Sequence, residues 1–99
     1  MWTDFALRDV ERIDDFISQD RPIAAERWVQ RLIATGEAAA AAPLAGRILS
    51  EKRRADIREV LLRQYRIVYQ IRESRIDILT VFESHKLFPE GAVLEDEER

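Results

Sequence analysis

The 99-residue chain contains no cysteine and a single histidine, which excludes a disulfide framework, a thiolate metal site and a thiol nucleophile. Glycine and proline number three each. None of the glycines forms a phosphate-cradling loop, and the sequence shows neither metal-ligand spacing nor a Ser-His-Asp order. No metal and no cofactor are expected. The longest uncharged stretch, residues 38–46, is short, Ala-rich and interrupted by Pro43, so it cannot span a bilayer. The N-terminus has no basic segment ahead of an apolar one. These absences point to a cytoplasmic domain with no membrane partner.

What is present suffices for one core. Apolar residues make up 46% of the chain and charged residues 35%, a balance that folds and stays soluble. The net charge of −3 is uneven. Residues 1–46 carry five Arg against eight acids, residues 47–89 carry eight Arg and two Lys against six acids, and residues 90–99 carry Arg99 against five acids. A locally basic middle suits an anionic or acidic partner, whereas a dedicated nucleic-acid binder is usually basic overall.

Ala6, Val10, Ile13 and Ile17 recur at helical spacing behind Thr3, a suitable N-cap. They predict a helix over residues 4–18. Pro22 suits a first helical turn, and Ala25, Trp28, Val29, Leu32, Ile33 and Gly36 form one stripe, predicting a second helix over residues 22–42 that Pro43 stops. Gly36 in that stripe allows close approach. The short connection makes the two helices an antiparallel hairpin. Residues 43–56, with the basic run Lys52-Arg53-Arg54, follow neither period and read as a loop. Residues 57–62, 65–71 and 76–82 are rich in β-branched and aromatic side chains and predict three antiparallel strands. The expected fold class is α+β: an N-terminal antiparallel helix hairpin packed on one face of a small, mainly antiparallel sheet. Residues 1–89 form the domain and residues 90–99 an acidic tail.

A turn at Glu73-Ser74 sets a register in which Ile71 faces Ile76, Tyr69 faces Ile78, Ile67 faces Thr80 and Tyr65 faces Phe82, on the face covered by the helices. The opposite face then carries Arg66 beside Val81, Val68 beside Leu79 and Gln70 beside Asp77, continuing to Glu83 and His85. Nothing else in the chain is long enough to cover it, so a half-apolar groove is expected there. A one-residue slip of register would produce the same pattern.

The order of these elements resembles the RelE/ParE superfamily of bacterial type II toxins, and within it the ParE, or plasmid-stabilisation, branch. The resemblance covers residues 2–89 and rests on Pro22 with Ala24-Ala25-Glu26-Arg27, Pro43-Leu44-Ala45-Gly46-Arg47, Ile57-Arg58-Glu59-Val60, Tyr65-Arg66-Ile67-Val68-Tyr69 and Val81-Phe82-Glu83-Ser84-His85-Lys86. It implies a toxin neutralised by a cognate antitoxin, in a toxin-antitoxin hetero-oligomer, that inhibits DNA gyrase by binding. The family's N-terminal strand would be very short, because only Met1 and Trp2 precede the helix cap. The alternative is a metal-independent endoribonuclease cutting mRNA on the ribosome. By resemblance Arg66 would then hold the phosphate, with Glu83, His85 and Lys86 as base, acid and cation. Ser84 stands where that branch tends to have Arg, and an acidic chain suits a ribosomal surface poorly. A non-toxic, antitoxin-binding homologue is the third alternative.

On the favoured reading no residue is catalytic. The antitoxin would meet Arg58, Arg63, Arg66, Val68, Leu79, Val81, Glu83, His85 and Lys86, with Arg forks on its carboxylates. Glu59 and Asp77 are cross-strand carboxylates that would instead satisfy those arginines internally.

Overall fold

The structure is a computed structural model and describes residues 1–92. Helix α1 spans Asp4–Ser18 and helix α2 spans Pro22–Ala41. The Thr3 hydroxyl accepts a hydrogen bond from the Ala6 amide (3.1 Å) and donates one to the Leu79 carbonyl (3.1 Å), so the cap of α1 also ties the helix to the sheet. Proline opens α2, and α2 stops one residue before the expected Ala42, ahead of Pro43. Its buried stripe is Ala25, Leu32, Gly36 and Ala39. A β-carbon at Gly36 would sit 2.5 Å from the Trp2 ring, so the close approach read from the stripe is to that indole.

A 3-10 turn at Pro43–Ala45 leads into a four-stranded antiparallel sheet: β1 Arg47–Ile48, β2 Ile57–Leu62, β3 Tyr65–Ile71 and β4 Ile76–Glu83, in that spatial order. Strand β1 lies inside the stretch expected to be a loop, too short to show a period. Gly46 ahead of it leaves room for the Tyr69 hydroxyl, which donates to the Pro43 carbonyl at 2.6 Å. On the far edge, Trp2 makes one parallel bridge to Ile78, the very short N-terminal strand that was expected. The acidic stretch predicted for residues 90–99 lies, from residue 93 on, outside the described residues. Packing continues to Ala92, which is buried. Among the described residues no helix is long and apolar enough to cross a membrane.

The β3–β4 register matches expectation only near the turn, where Ile71 faces Ile76, Gln70 faces Asp77 and Tyr69 faces Ile78. A β-bulge between Val68 and Tyr69 on the β3 side leaves Leu79 as an extra residue in β4, and beyond it Val68 faces Thr80, Ile67 faces Val81, Arg66 faces Phe82 and Tyr65 faces Glu83. One residue of slip exchanges the two faces of a strand. Val81 therefore joins the core beneath the helices, with Ala6, Val10, Leu32, Tyr65, Ile67, Tyr69 and Ile78, and not the opposite face where the unbroken register put it.

The opposite face is not open. Val68, Leu79 and Phe82 form a second core with Leu49 and Ile57, and Phe88 packs on it, with its ring edge-on to Phe82 at 6.4 Å. Two segments too polar to read as core, one carrying Leu49 and the other Phe88, cover the face expected to be a groove. Val68 and Leu79 are accordingly buried and are not available as anchors for a partner.

Edge strand β4 is tied to α1 by Asp9. This buried carboxylate accepts from the Thr80 hydroxyl (2.5 Å) and the Val81 amide (3.0 Å) and pairs with Arg12. Asp9→Ala leaves both donors buried without an acceptor and is expected to cost about 2–4 kcal/mol in urea unfolding, a charged acceptor being worth more than a neutral one. A loss under about 0.5 kcal/mol would show that the donors find other partners.

Candidate functional site

The strand pairing brings together the charged residues singled out by sequence. Leu61 faces Arg66 and Glu59 faces Val68 across β2 and β3, so Glu59 and Arg66 are diagonal neighbours on one face. Arg66 is 7% exposed. Its Nε donates to Glu59 at 2.6 Å, one terminal nitrogen to Glu51 at 2.6 Å and the other to the Lys86 carbonyl at 3.1 Å. Its guanidinium carbon lies 4.8 Å from the centre of the Phe82 ring. Glu59 takes a further bond from Arg47 at 2.8 Å, and Glu51 accepts from the Phe88 amide at 3.2 Å. One arginine therefore joins β3, β2, the segment after β1 and the C-terminal segment. Burial alone would lower its pKa, but its bonds to Glu51 and Glu59 prevail and raise it.

Arg58 is likewise committed, donating to the carbonyls of Ala55 (2.9 Å), Leu44 (3.3 Å) and Gly46 (3.0 Å). Asp77 pairs with Arg72 and Arg75, both at 2.9 Å. Arg63 is exposed in the β2–β3 turn with a left-handed φ of 54°. Of the three arginines expected to face a partner, only this one is exposed.

Glu83, His85 and Lys86 emerge together where β4 ends. His85 Nδ1 lies 3.7 Å from Glu83 and Lys86 Nζ lies 3.6 Å from it, all three well exposed. Glu83 and Lys86 line a cavity of about 380 Å³ between α1 and the end of the sheet, together with Asp9, Arg12, Phe16, Gln64 and Tyr65. Phe16, a helix residue that the periodicity set beside the apolar stripe, is 73% exposed at this cavity. The Tyr65 phenol is pushed above its usual pKa by burial and by the charge of Glu83. A carboxylate, an imidazole and an ammonium are thus clustered, but the guanidinium that would hold a phosphate beside them lies inside its carboxylate cage. Among the described residues no group of three or more His, Cys, Asp or Glu side chains could hold a metal.

Sequence reasoning missed Glu51, Arg47 and Asp9. Glu51 and Arg47 fall in a stretch without periodicity. Asp9 was legible only as an acidic residue one position from the apolar stripe.

This architecture has relatives. Residues 1–88 match the family described as the ParE toxin of the type II toxin-antitoxin system, parDE. The chain is 36% identical over 90 residues to "Putative toxin Y4kP" of Sinorhizobium fredii, covering 90% of this chain and 91% of that protein. Its fold resembles a chain from a solved structure, the chromosomal ParDE TA system from P. aeruginosa, with a TM-score of 0.71 and 22% identity over 83% of this chain and 90% of that one. The chain belongs to the ParE toxin family of type II toxin-antitoxin systems.

The cage sets a pH dependence. The hydrogen bond from Arg66 is the main reason that the Glu51 carboxyl falls from 4.5 to about 2. A carboxylate whose pKa is lower folded than unfolded contributes stability above the unfolded value, and that contribution is lost as pH falls through the folded one. Stability should therefore decline between pH 4.5 and about 2. Glu51→Gln should remove about 1–3 kcal/mol at neutral pH and flatten this decline, as read by urea unfolding across that range. An unchanged acid limb in the variant would show that Glu51 is not a determinant.

Proposed function

We propose that this chain is the toxin of an antitoxin-neutralised pair in the cytoplasm and that it acts by binding DNA gyrase, without chemistry of its own. Family membership supports the antitoxin partner. The observation that carries the choice of a binding toxin is the burial of Arg66 between Glu51 and Glu59. Cleavage of RNA without a metal requires an exposed cation on the phosphate, placed with a base and an acid. Here the arginine at the implied position is buried and its charge is already balanced by two carboxylates. Glu83, His85 and Lys86 alone would have to supply every role, from side chains held at 3.6–3.7 Å in solvent.

The same burial changes what a substitution at Arg66 would report. Removing the guanidinium leaves buried Glu59 with only the exposed Arg47 as its ion-pair partner, a defect of up to about 3–5 kcal/mol in a small domain, so lost toxicity in Arg66→Ala would reflect lost folding and not a lost contact. His85 is free of that objection. Purified chain should inhibit supercoiling by DNA gyrase, His85→Ala should inhibit within about twofold of wild type, and neither should shorten mRNA in a ribosome assay, since no proton transfer worth about 10²–10⁴-fold is at stake. Site-specific mRNA cleavage that disappears in a folded His85→Ala variant, with supercoiling untouched, would establish the ribonuclease reading instead.

A further inference from the structure

The cavity of about 380 Å³ between α1 and the end of the sheet lies in the size range of small-molecule sites. Tyr65 lines it and is 6% exposed, yet among the described residues its hydroxyl has no hydrogen-bond partner. The charge of Glu83, which also lines the cavity, reaches that hydroxyl. A buried donor left without an acceptor is costly, and the cavity is where an acceptor can meet it. Arg12 spends one terminal nitrogen on Asp9, whose oxygens are otherwise taken by Thr80 and Val81, and keeps its Nε and second terminal nitrogen for another acceptor. Lys86 and Glu83 stand 3.6 Å apart, beyond hydrogen-bond length, so Glu83 retains acceptor capacity. Beside these groups Ile13 and the exposed ring of Phe16 form an apolar wall.

We propose that this cavity binds a small zwitterion, an α-amino acid with an apolar side chain, its carboxylate on the Tyr65 hydroxyl and Arg12, its ammonium on Glu83 and its side chain against Ile13 and Phe16. The inference is independent of the toxin's target. Two cations and two carboxylates line the cavity, so it is neutral overall and suits a neutral ligand that carries both signs. Hydrogen bonds between such charged groups are the strong ones, and a few of them with an apolar wall are enough to orient a small ligand. Other ligands match fewer of these features. A phosphate group would add negative charge where each cation already faces a carboxylate. A simple carboxylate would satisfy Tyr65 but stand against Glu83, and a purely apolar molecule would leave the Tyr65 donor unpaired.

The test is an NMR titration of the isotope-labelled chain with L-phenylalanine as the probe. It should shift the amide resonances of Gln64, Tyr65 and Glu83 with a Kd of about 1 mM or tighter, the range open to a ligand of about a dozen non-hydrogen atoms. N-acetyl-L-phenylalanine, which lacks the ammonium, and L-phenylalaninamide, which lacks the carboxylate, should each bind about tenfold more weakly. Tyr65→Phe keeps the ring against Trp28 and should lower the affinity for L-phenylalanine about tenfold. Glu83→Gln should do the same, whereas Glu26→Gln, an equal change of charge outside the cavity, should stay within about twofold of wild type. The absence of a saturable shift at these amides by about 10 mM amino acid, or undiminished binding of either derivative, would overturn the proposal, and the wild-type chain alone decides both. So would wild-type affinity in a folded Tyr65→Phe variant.

Discussion

The buried guanidinium of Arg66 is the constraint on which the second face of this fold depends. It cannot leave water without compensation, and it finds that compensation in Glu59 on the neighbouring strand, in Glu51 on the segment after β1 and in the Lys86 carbonyl. Two of these partners, Glu51 and the Lys86 carbonyl, lie on segments outside the strands. Glu51 in turn binds the Phe88 amide, and the Phe88 ring packs against Phe82. Charge pairing thus joins apolar packing in holding the cover of the second core. Breaking one partner leaves a charge stranded, so the network behaves as a unit.

That arrangement separates two properties that look alike in sequence. An arginine in the middle of a strand, ahead of a carboxylate, a histidine and a lysine, reads equally as a phosphate grip or as a structural tie. Its burial and its two short ion pairs make it a tie. Exposed cations remain on the sheet side as well as on the helices, among them Arg47, Arg63 and Lys86.

The helices were legible because both carry strong periodic stripes, a cap at Thr3 and prolines at Pro22 and Pro43. The three long strands were legible from their β-branched and aromatic runs. The register was legible only up to Leu79, because a bulge has no signature of its own: alternation continues through it on both sides. From that one residue followed the misplacement of Val81. The cover of the second face was illegible for a different reason, since Leu49 and Phe88 are single apolar residues in polar stretches and their partners lie across the sheet. Among the site residues, Glu83, His85 and Lys86 cluster as expected because they follow one another in the chain. The fate of Arg66 depended on Glu51, fifteen positions away in a segment without periodicity.

The claim that Arg66 is structural and not functional is tested most directly by replacing the whole cage. The triple variant Arg66→Met, Glu59→Leu, Glu51→Gln removes Arg66 and both of its carboxylate partners together and leaves only the exposed Arg47, and an apolar replacement of a buried ion cluster is often neutral or stabilising by about 1–4 kcal/mol. Its supercoiling inhibition should be measured beside its circular dichroism and its thermal midpoint. The expected result is a folded chain that still inhibits gyrase. A folded triple variant without inhibition would contradict the claim and return Arg66 to the functional surface.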